Sequence, residues 1–330
     1  MFTIVTTTAM LDHRTPAFRS HFYVVGAKCI LSTNSPDVLH AAVNCNSRAS
    51  RIHSGSFEME VVVDPSRDHA AECPTFFRGM RHLVFAFLPP RSFVTYDLLR
   101  RRVHAQLSTS AAGDPYFWKT LLIPITVGVL GTTIGLVPLH CACLERRGSG
   151  LLIAGVSGAG KSTLTAALGQ IGFTLLSDDW TYLSKQESGL VAHGLSAPLK
   201  LLPDAAQFFS ELAALTPVTA LNGELAYQVD PQLLGCTVAG ISSPKSIFFL
   251  ERTSTPGCRV LPCRSEYARH FFEKNAERLP DNLAEAQSFR TGVIRMLSAR
   301  PTWIIRTGDT PQLTARAIDE FLSEENDAIA

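Results

Sequence analysis

Short runs of apolar and polar residues in the first third of the chain predict a β-rich region. Three runs rich in β-branched and aromatic residues, at 21–32, 56–64 and 82–88, are separated by turn formers and predict strands. Residues 35–43 open with serine and then proline, a start that favours a short helix. Residues 92–107 predict a further strand or a helix, interrupted by three arginines at 100–102. Residues 1–115 are therefore predicted to form a β-rich α+β domain.

The pattern changes near residue 120, where a long apolar run begins. Residues 120–144 contain no charged side chain, and residues 121–139 have the length of a membrane span. Two prolines and three glycines interrupt this run. Proline costs a helix interior about 3 kcal/mol relative to alanine, and glycine about 1 kcal/mol. Lipid-exposed backbone cannot recover the freed hydrogen bonds from water. The run therefore predicts a buried helix over 118–136, and a membrane span is the disfavoured alternative.

An alternation of strands and helices follows and predicts an α/β domain over 116–330. Strands are expected at 139–144, 150–154 and 173–177, with a helix from residue 161 to about 169. A strand, a helix and a strand in this order predict a parallel βαβ unit. Further elements are expected along the remaining chain, with strands at 199–202, 246–251 and 302–306 and helices at 265–278, 283–298 and 311–323.

Composition narrows the class of protein. The 330 residues carry 30 basic and 29 acidic side chains, a formal charge of +1, which argues against a general nucleic-acid surface. Charged residues are 18% against a usual value of about 25%, and hydrophobic residues are 46%, as expected for a large buried core. Eight cysteines without a CxxC pair, and residues 1–5 without a charged leader, predict a reduced, cytoplasmic protein. Cys141 and Cys143 are interpreted as small buried thiols, with metal binding as the alternative.

Residues 155–162, GVSGAGKS, match the phosphate-binding pattern GxxxxGK[ST] between a predicted strand and a predicted helix. Glycines let backbone N–H groups turn toward phosphate oxygens, and the positive end of the helix adds to that attraction. Lys161 would contact the β- and γ-phosphates, and the Ser162 hydroxyl would bind Mg²⁺. The predicted nucleotide-binding residues are Gly155, Val156, Ser157, Gly158, Ala159, Gly160, Lys161, Ser162 and Thr163.

Two aspartates end the strand expected at 173–177. Asp178 and Asp179 would lie beside the phosphate loop, where one carboxylate can hold Mg²⁺ and the other can accept a proton from an attacking hydroxyl. The residue pattern alone leaves open which of the two aspartates has which role. An Asx-type turn at the strand end is the alternative interpretation of the pair. His140, on the strand before the loop, is on residue pattern alone more typical of a core histidine.

The stretch LHCACLERRGSGLLIAGVSGAGKSTLTAALGQIGFTLLSDDWTYL, residues 139–183, resembles the C-terminal catalytic domain of HPr kinase/phosphorylase. In that family a histidine precedes the phosphate loop and an Asp-Asp pair follows its helix. The resemblance implies an α/β P-loop kinase domain of the HPr-kinase and phosphoenolpyruvate-carboxykinase-like type. It also implies that His140 assists catalysis beside Lys161, and that Asp179 is the catalytic base that accepts the proton of a serine. Asp178 is then the expected metal ligand, together with Ser162.

The resemblance implies ATP and Mg²⁺ as cofactors and a serine-bearing peptide or protein as the acceptor, as in the divergent peptide-modifying relatives. It implies no nucleic-acid partner, disfavours a membrane span and leaves a homo-oligomer open. The family's downstream metal-binding glutamate has no acidic counterpart in residues 195–201, where Lys200 stands instead. Lys200 would contact phosphate or be solvated. A non-catalytic or slowly hydrolysing nucleotide-binding regulator is the alternative function.

Overall fold

The computed structural model describes residues 15–44, 55–71, 74–195, 197–220 and 223–329. Residues 1–5, two of the eight cysteines (Cys45 and Cys73), and Ser196 of the 195–201 segment lie outside these ranges. The chain is a mixed α/β protein with several sheets, and it divides into two compact units. The N-terminal unit comprises Met1–Pro138 and Glu277–Arg290, and the C-terminal unit comprises Leu139–Ala276 and Thr291–Ala330. Residues 116–138 thus group with the N-terminal unit, and the domain boundary after residue 115 stays a prediction.

A seven-stranded mixed sheet forms the framework of the N-terminal unit. In spatial order it runs β1-β2-β3-β7-β6-β5-β4, and β3 is parallel to both of its neighbours. One helix, α1 (Pro36–Asn44), connects β2 to β3, as the parallel crossover requires. The strands are β1 (Phe18–Val24), β2 (Ala27–Thr33), β3 (Gly55–Val63), β4 (Phe76–Met80), β5 (Leu83–Leu88), β6 (Ser92–Asp97) and β7 (Arg102–Leu107).

Two of the predicted segments of this sheet, 21–32 and 92–107, each form a hairpin of two strands. The single strand expected over 21–32 is wrong, because Val25 and Gly26 have φ of 42° and 84° and form a tight turn between β1 and β2. Positive φ at both central residues is the mark of a type I′ hairpin turn. For residues 92–107 the strand alternative is confirmed as a hairpin of β6 and β7, whose turn contains Arg101 at φ 55°.

The apolar run forms a composite helix, as expected. It spans Pro115–Ile134 and consists of α3 (Pro115–Phe117), a π-helical turn at Trp118–Leu122, α4 (Ile123–Leu130) and a 3₁₀ turn at Gly131–Ile134, and the short helix α2 (Thr109–Ala112) precedes it. The π turn ends two residues before Pro124, which lacks the N–H that a regular helix needs there. Within the described residues, Pro115–Ile134 is long and apolar enough to cross a membrane, with a mean hydropathy of 1.5, but 61% of that window is buried in the protein.

A second seven-stranded sheet forms the framework of the C-terminal unit, in the order β17-β11-β9-β10-β19-β21-β20. Its strands are β9 (Ala142–Arg146), β10 (Ser149–Ala154), β11 (Thr174–Ser177), β17 (Thr237–Val238), β19 (Pro244–Arg252), β20 (Cys258–Pro262) and β21 (Thr302–Thr307). Both β10 and β11 pair antiparallel to β9, so they point the same way and are joined by α5 (Lys161–Gln170). The expected βαβ crossover is therefore present, with β9 inserted between its two strands.

Smaller sheets and the remaining helices complete this part of the chain. One sheet contains β8 (Val137–His140), β12 (Trp180–Gln186), β13 (Gly189–Gly194) and β18 (Ile241–Ser242), and another contains β14 (Leu199–Leu201), β15 (Val218–Thr219) and β16 (Leu225–Val229). The helices expected near the C-terminus are α6 (Ser265–Asn275), α7 (Ala284–Ser298) and α8 (Pro311–Ile329). Short 3₁₀ helices lie at Pro203–Gln207, Ser210–Ala214 and Pro231–Leu234 here, and at Pro65–His69 in the N-terminal unit.

A continuous apolar core fixes α5 against the second large sheet. Alanines and leucines of α5 pack with Leu144, Ile153 and Phe248 from the sheet and with Ile318 from α8. Burial of such aliphatic side chains contributes roughly 25 cal/mol per Å² of apolar surface removed from water. The core therefore holds the N-terminus of α5 and the carboxyl end of β10 in a defined position, and the candidate site lies there.

Candidate active site

The glycine loop between β10 and α5 has the backbone that its sequence pattern predicts. Gly158 and Gly160 adopt φ of 78° and 90°, a region that side-chain-bearing residues rarely enter, and Gly160 is the residue that caps α5. An added Cβ on Gly155 would lie 2.8 Å from the Leu250 carbonyl oxygen, so only glycine fits against β19. The loop is therefore shaped by its glycines, and it precedes the positive end of a ten-residue helix.

The other loop residues divide into an exposed tip and a buried base. Val156, Ser157 and Gly158 are exposed, whereas Ala159 is buried, and Ser162 and Thr163 are half-buried. The Val156 side chain is 70% exposed although it is apolar. The predicted nucleotide-binding residues thus follow one another from the exposed loop tip to the more buried first turn of α5, where the positive end of the helix can attract phosphate oxygens.

The Lys161 side chain folds back over the loop. Its Nζ donates hydrogen bonds to the carbonyl oxygens of Gly155 at 3.1 Å and of Val156 at 3.3 Å. Burial lowers the pKa of Lys161, and the nearby charge of Asp179 followed by Cys141 and Asp178 counteracts that effect. The lysine therefore lies within electrostatic reach of both predicted carboxylates.

Asp178 is buried at the end of β11 and contacts the start of α5. The Lys200 backbone N–H donates to its Oδ2 at 3.1 Å, and the Ser162 side chain lies close enough to this carboxylate to lower its pKa. Burial, together with the neighbouring charge of Asp179, raises the pKa of Asp178 to about 6. The structure thus brings together Ser162 and Asp178, the two residues predicted to bind metal.

The donor set at this point fits a small, hard divalent cation. A carboxylate and a hydroxyl are oxygen ligands, and Mg²⁺ is commonly held by one or two protein oxygens with phosphate oxygens and water completing its shell. Within the described ranges, no group of three or more His, Cys, Asp or Glu side chains is arranged to hold a metal ion. Asp178 and Ser162 would therefore hold Mg²⁺ only together with the phosphates of a nucleotide.

His140 and Asp179 form the exposed part of the site. The His140 Nε2 lies 2.7 Å from Asp179 Oδ1, and the two side chains are 38% and 52% exposed. On its other side, the His140 ring stacks on Trp180, with ring centroids 5.5 Å apart and an interplanar angle of 28°. His140 is therefore not a core histidine, and it holds the carboxylate predicted to be the catalytic base.

The cysteines beside the site are poor metal ligands. Cys141 and Cys143 are both fully buried, and burial raises the pKa of Cys141 to about 12 and that of Cys143 well above its usual value. A metal-bound cysteine is a thiolate, and these environments favour the neutral thiol. The interpretation of the CxC pair as small buried thiols agrees with this environment.

Sequence reasoning missed several supporting residues. Trp180 follows the aspartates directly, but its stacking on His140 needs the two strands side by side. The Thr181 hydroxyl donates to the Cys141 carbonyl oxygen at 2.8 Å and hydrogen-bonds with Ser177 at 2.7 Å. Lys200, expected to contact phosphate or to be solvated, forms an ion pair through its Nζ with Glu224 Oε2 at 2.7 Å. The position of Trp180 directly after the two aspartates is the available signal for that residue, and no local pattern indicates the Lys200–Glu224 pair.

Comparisons with known proteins add little to this geometry. No protein-family model matches the chain, and no curated protein matches it. Among solved structures, the chain is similar to the HPr(Ser) kinase/phosphatase from Coxiella burnetii, with 15% sequence identity and a TM-score of 0.31. The similarity covers 58% of this chain and 93% of that one. At this TM-score the likeness is too weak to assign a fold family, so the functional argument depends on the residues of the site.

Proposed function

We propose that this protein is an ATP-dependent kinase that transfers the γ-phosphoryl group to a serine hydroxyl of a peptide or protein. The observation that carries the proposal is the placement of two different carboxylates at the end of β11. Asp178 is buried against Ser162, whereas Asp179 is exposed and paired with His140. One carboxylate suited to a metal and one suited to a proton are the two that phosphoryl transfer requires.

Each residue then has a distinct task in the reaction. Backbone N–H groups of the loop and the Lys161 ammonium hold the β- and γ-phosphates. Asp178 and Ser162 would hold Mg²⁺, which neutralises phosphate charge when bound. Asp179 accepts the serine proton while the serine oxygen bonds to the γ-phosphorus and the bond from that phosphorus to the β,γ-bridging oxygen breaks, releasing ADP. His140 donates its Nε2–H to Asp179 Oδ1 and so orients the accepting carboxylate.

The proposal extends to the setting of the enzyme. The peptide or protein acceptor follows from the resemblance over residues 139–183, and the formal charge of +1 argues only against a general nucleic-acid surface. We place the reaction in the cytoplasm, where ATP is available, and assign no membrane-spanning role to Pro115–Ile134. The P-loop kinase type of the C-terminal unit belongs to the same proposal, supported by the resemblance over residues 139–183.

Nucleotide binding and transfer can be tested separately. Binding of a fluorescent ATP analogue with Mg²⁺ is measured first, and γ-labelled ATP is then incubated with a pool of serine-containing peptides. Asp179→Asn should retain nucleotide binding and lose transfer by about 10²- to 10⁴-fold, as expected for removal of a general base. Lys161→Ala should lose both activities, and Lys185→Ala, an exposed lysine on β12, should lose neither.

The same experiment identifies the alternative function. Tight Mg²⁺-dependent ATP binding without transfer to any serine peptide would contradict the kinase proposal and indicate a nucleotide-binding regulator. Full transfer by Asp179→Asn would show that Asp179 is not the base. Absence of nucleotide binding by the wild-type protein would refute both functions.

A further inference from the structure

The sheet of the N-terminal unit ends in an unusual edge strand. Strand β4 pairs with β5 on one side, and within the described part of the chain no strand pairs with its other side. All five residues of β4 are exposed, and Phe76, Phe77 and Met80 are 45%, 50% and 59% exposed. An edge strand normally carries charges or prolines that discourage pairing, and three large apolar side chains do the opposite.

The register with β5 shows which face each side chain occupies. Phe76, Arg78 and Met80 lie opposite Phe87, Phe85 and Leu83, and the Phe76 and Phe87 rings stack at 5.7 Å. Phe77 lies on the other face, opposite the buried Ala86. The edge therefore presents an apolar, a basic and an apolar side chain in succession on one face, and an aromatic ring on the other.

The charge of this region selects one kind of occupant. Residues 74–96 contain no aspartate or glutamate, and they contain three arginines and one histidine. A strand placed beside β4 would set its own side chains directly opposite Phe76, Arg78 and Met80. An acidic residue between two apolar residues complements that row. A second copy of the chain, paired antiparallel about Arg78, would instead set arginine against arginine.

We propose that the free edge of β4 binds an extended segment of a partner polypeptide as an added strand. The segment carries a glutamate or aspartate flanked, two residues away on each side, by apolar residues. Backbone hydrogen bonds supply the pairing, and the alternate side chains supply the choice of partner, as in other cases of strand addition. This inference goes beyond the proposed kinase activity and does not depend on it.

Fluorescence anisotropy of labelled peptides with the full chain tests the proposal. The first peptide contains valine, isoleucine, glutamate, threonine and valine in succession, flanked by glycine and serine, and the second replaces glutamate by lysine. The glutamate peptide should bind saturably and about tenfold more tightly than the lysine peptide. Arg78→Glu should reverse this preference. The matched control is Arg101→Glu, an exposed arginine in the β6–β7 turn, which should leave the preference unchanged.

Three results would overturn the proposal. The first is that neither peptide binds the wild-type protein, and the second is that Arg78→Glu leaves the preference for glutamate intact. The third is a wild-type dimer, seen by sedimentation, that Arg78→Glu strengthens or abolishes, because a second copy would then occupy the edge. The comparison of the two peptides on wild-type protein stands even if the variant folds poorly. None of these measurements depends on ATP binding. Failure of the strand-binding proposal is therefore distinguishable from failure of the kinase proposal.

Discussion

His140 Nε2 lies 2.7 Å from Asp179 Oδ1, and the strands that carry these two residues are tied together beside them. The Thr181 hydroxyl, two residues after Asp179, donates to the carbonyl oxygen of Cys141, the residue after His140, at 2.8 Å. This bond is buried, so it keeps the geometry of an otherwise exposed pair. The imidazole and the carboxylate are therefore positioned by the fold, and not by a chance meeting of two surface side chains.

Replacing His140 by glutamine should separate catalysis from nucleotide binding. Glutamine keeps an N–H donor but cannot hold the carboxylate in the same orientation or stack as an imidazole does. We expect phosphoryl transfer to fall by about 10- to 100-fold with little change in the dissociation constant for ATP. His270→Gln, an exposed histidine on α6, is the matched control and should behave as wild type. Equal transfer by both variants would mean that His140 has no role in the reaction.

Trp180 should act through His140 rather than on the substrate. The stacked rings, 5.5 Å between centroids, restrict the rotation of the imidazole. Trp180→Leu should therefore lower transfer by about threefold to tenfold and alter the pH profile, since the stack contributes an energy of about 0.5–1.5 kcal/mol. Trp180→Phe retains an aromatic face and should recover most of the rate. The idea fails if leucine and phenylalanine give the same rate and the same pH profile.

The ionised Asp178 carboxylate should lower the free energy of unfolding of the nucleotide-free protein at neutral pH. Its pKa of about 6 in the folded protein lies above the ordinary value of 3.8, so the ionised carboxylate disfavours the folded state once the pH exceeds these values. Asp178→Asn removes that charge and can still accept the hydrogen bond from the Lys200 N–H. In chelator and without nucleotide, the variant should be more stable than wild type by about 1–3 kcal/mol at pH 8.

The pH dependence of the stability gained by Asp178→Asn tests whether the buried charge causes it. It should be complete above pH 6 and fade as the pH falls toward 4, because wild-type Asp178 then becomes protonated. Thermal unfolding at pH 8 measures the full gain, and at pH 5, midway through the fading range, the gain should be about half as large. Mg²⁺ in the presence of ATP should stabilise the wild type and not the variant. A variant less stable than wild type at pH 8 would show that the carboxylate is not strained there.

The glycine loop and the two aspartates could be predicted because their chemistry depends on residues that are close together in the sequence. Gly158 and Gly160 need only their own backbone freedom, and Asp178 and Asp179 need only a strand end. Local sequence pattern did not predict features that form where segments distant in the sequence come together. The Lys200–Glu224 pair and the insertion of β9 between β10 and β11 depend on tertiary pairing that periodicity does not encode.

Two further errors have simpler physical causes. A run of β-formers at 21–32 predicts one strand, yet the chain reverses at Gly26, where a residue without a side chain permits a tight turn. Strand β4 was not predicted, because all five of its side chains are exposed and no alternation of buried and exposed positions marks it. The first error is a missed turn. The second shows that hydrophobic periodicity reports the burial of side chains more directly than it reports strand formation.

Gly194 should be essential for the position of Asp178. A Cβ added there would lie 2.0 Å from the Leu176 carbonyl oxygen, which is backbone of the strand that ends at the aspartates. Gly194→Ala should therefore destabilise the protein by about 1–3 kcal/mol and also weaken Mg²⁺-dependent ATP binding. Gly292→Ala is the matched control, since nothing lies within 4 Å of its Cβ on α7. That change should be neutral or stabilise by up to about 1 kcal/mol, and similar unfolding temperatures for the two variants would contradict the predicted clash.

His193 should make the protein sensitive to mild acid. It is fully buried on β13, and its Nε2 lies 2.8 Å from Ser184 Oγ. Burial lowers its pKa to about 4, from 6.5. As the pH falls below 6.5, the unfolded chain takes up a proton at this site and the folded chain does not, so stability is lost down to about pH 4. The loss amounts to roughly 3 kcal/mol over that range.

A variant that cannot be protonated tests this origin of acid sensitivity. His193→Gln keeps a polar group for Ser184 and carries no titrating ring, so its unfolding temperature should fall less than that of wild type between pH 7.5 and pH 5. His270→Gln, exposed on α6, should keep the wild-type slope. Thermal melts at half-unit pH intervals provide the comparison. If His193→Gln loses as much stability as wild type over this interval, the proton that unfolds the protein binds elsewhere, and burial of His193 does not set its acid limit.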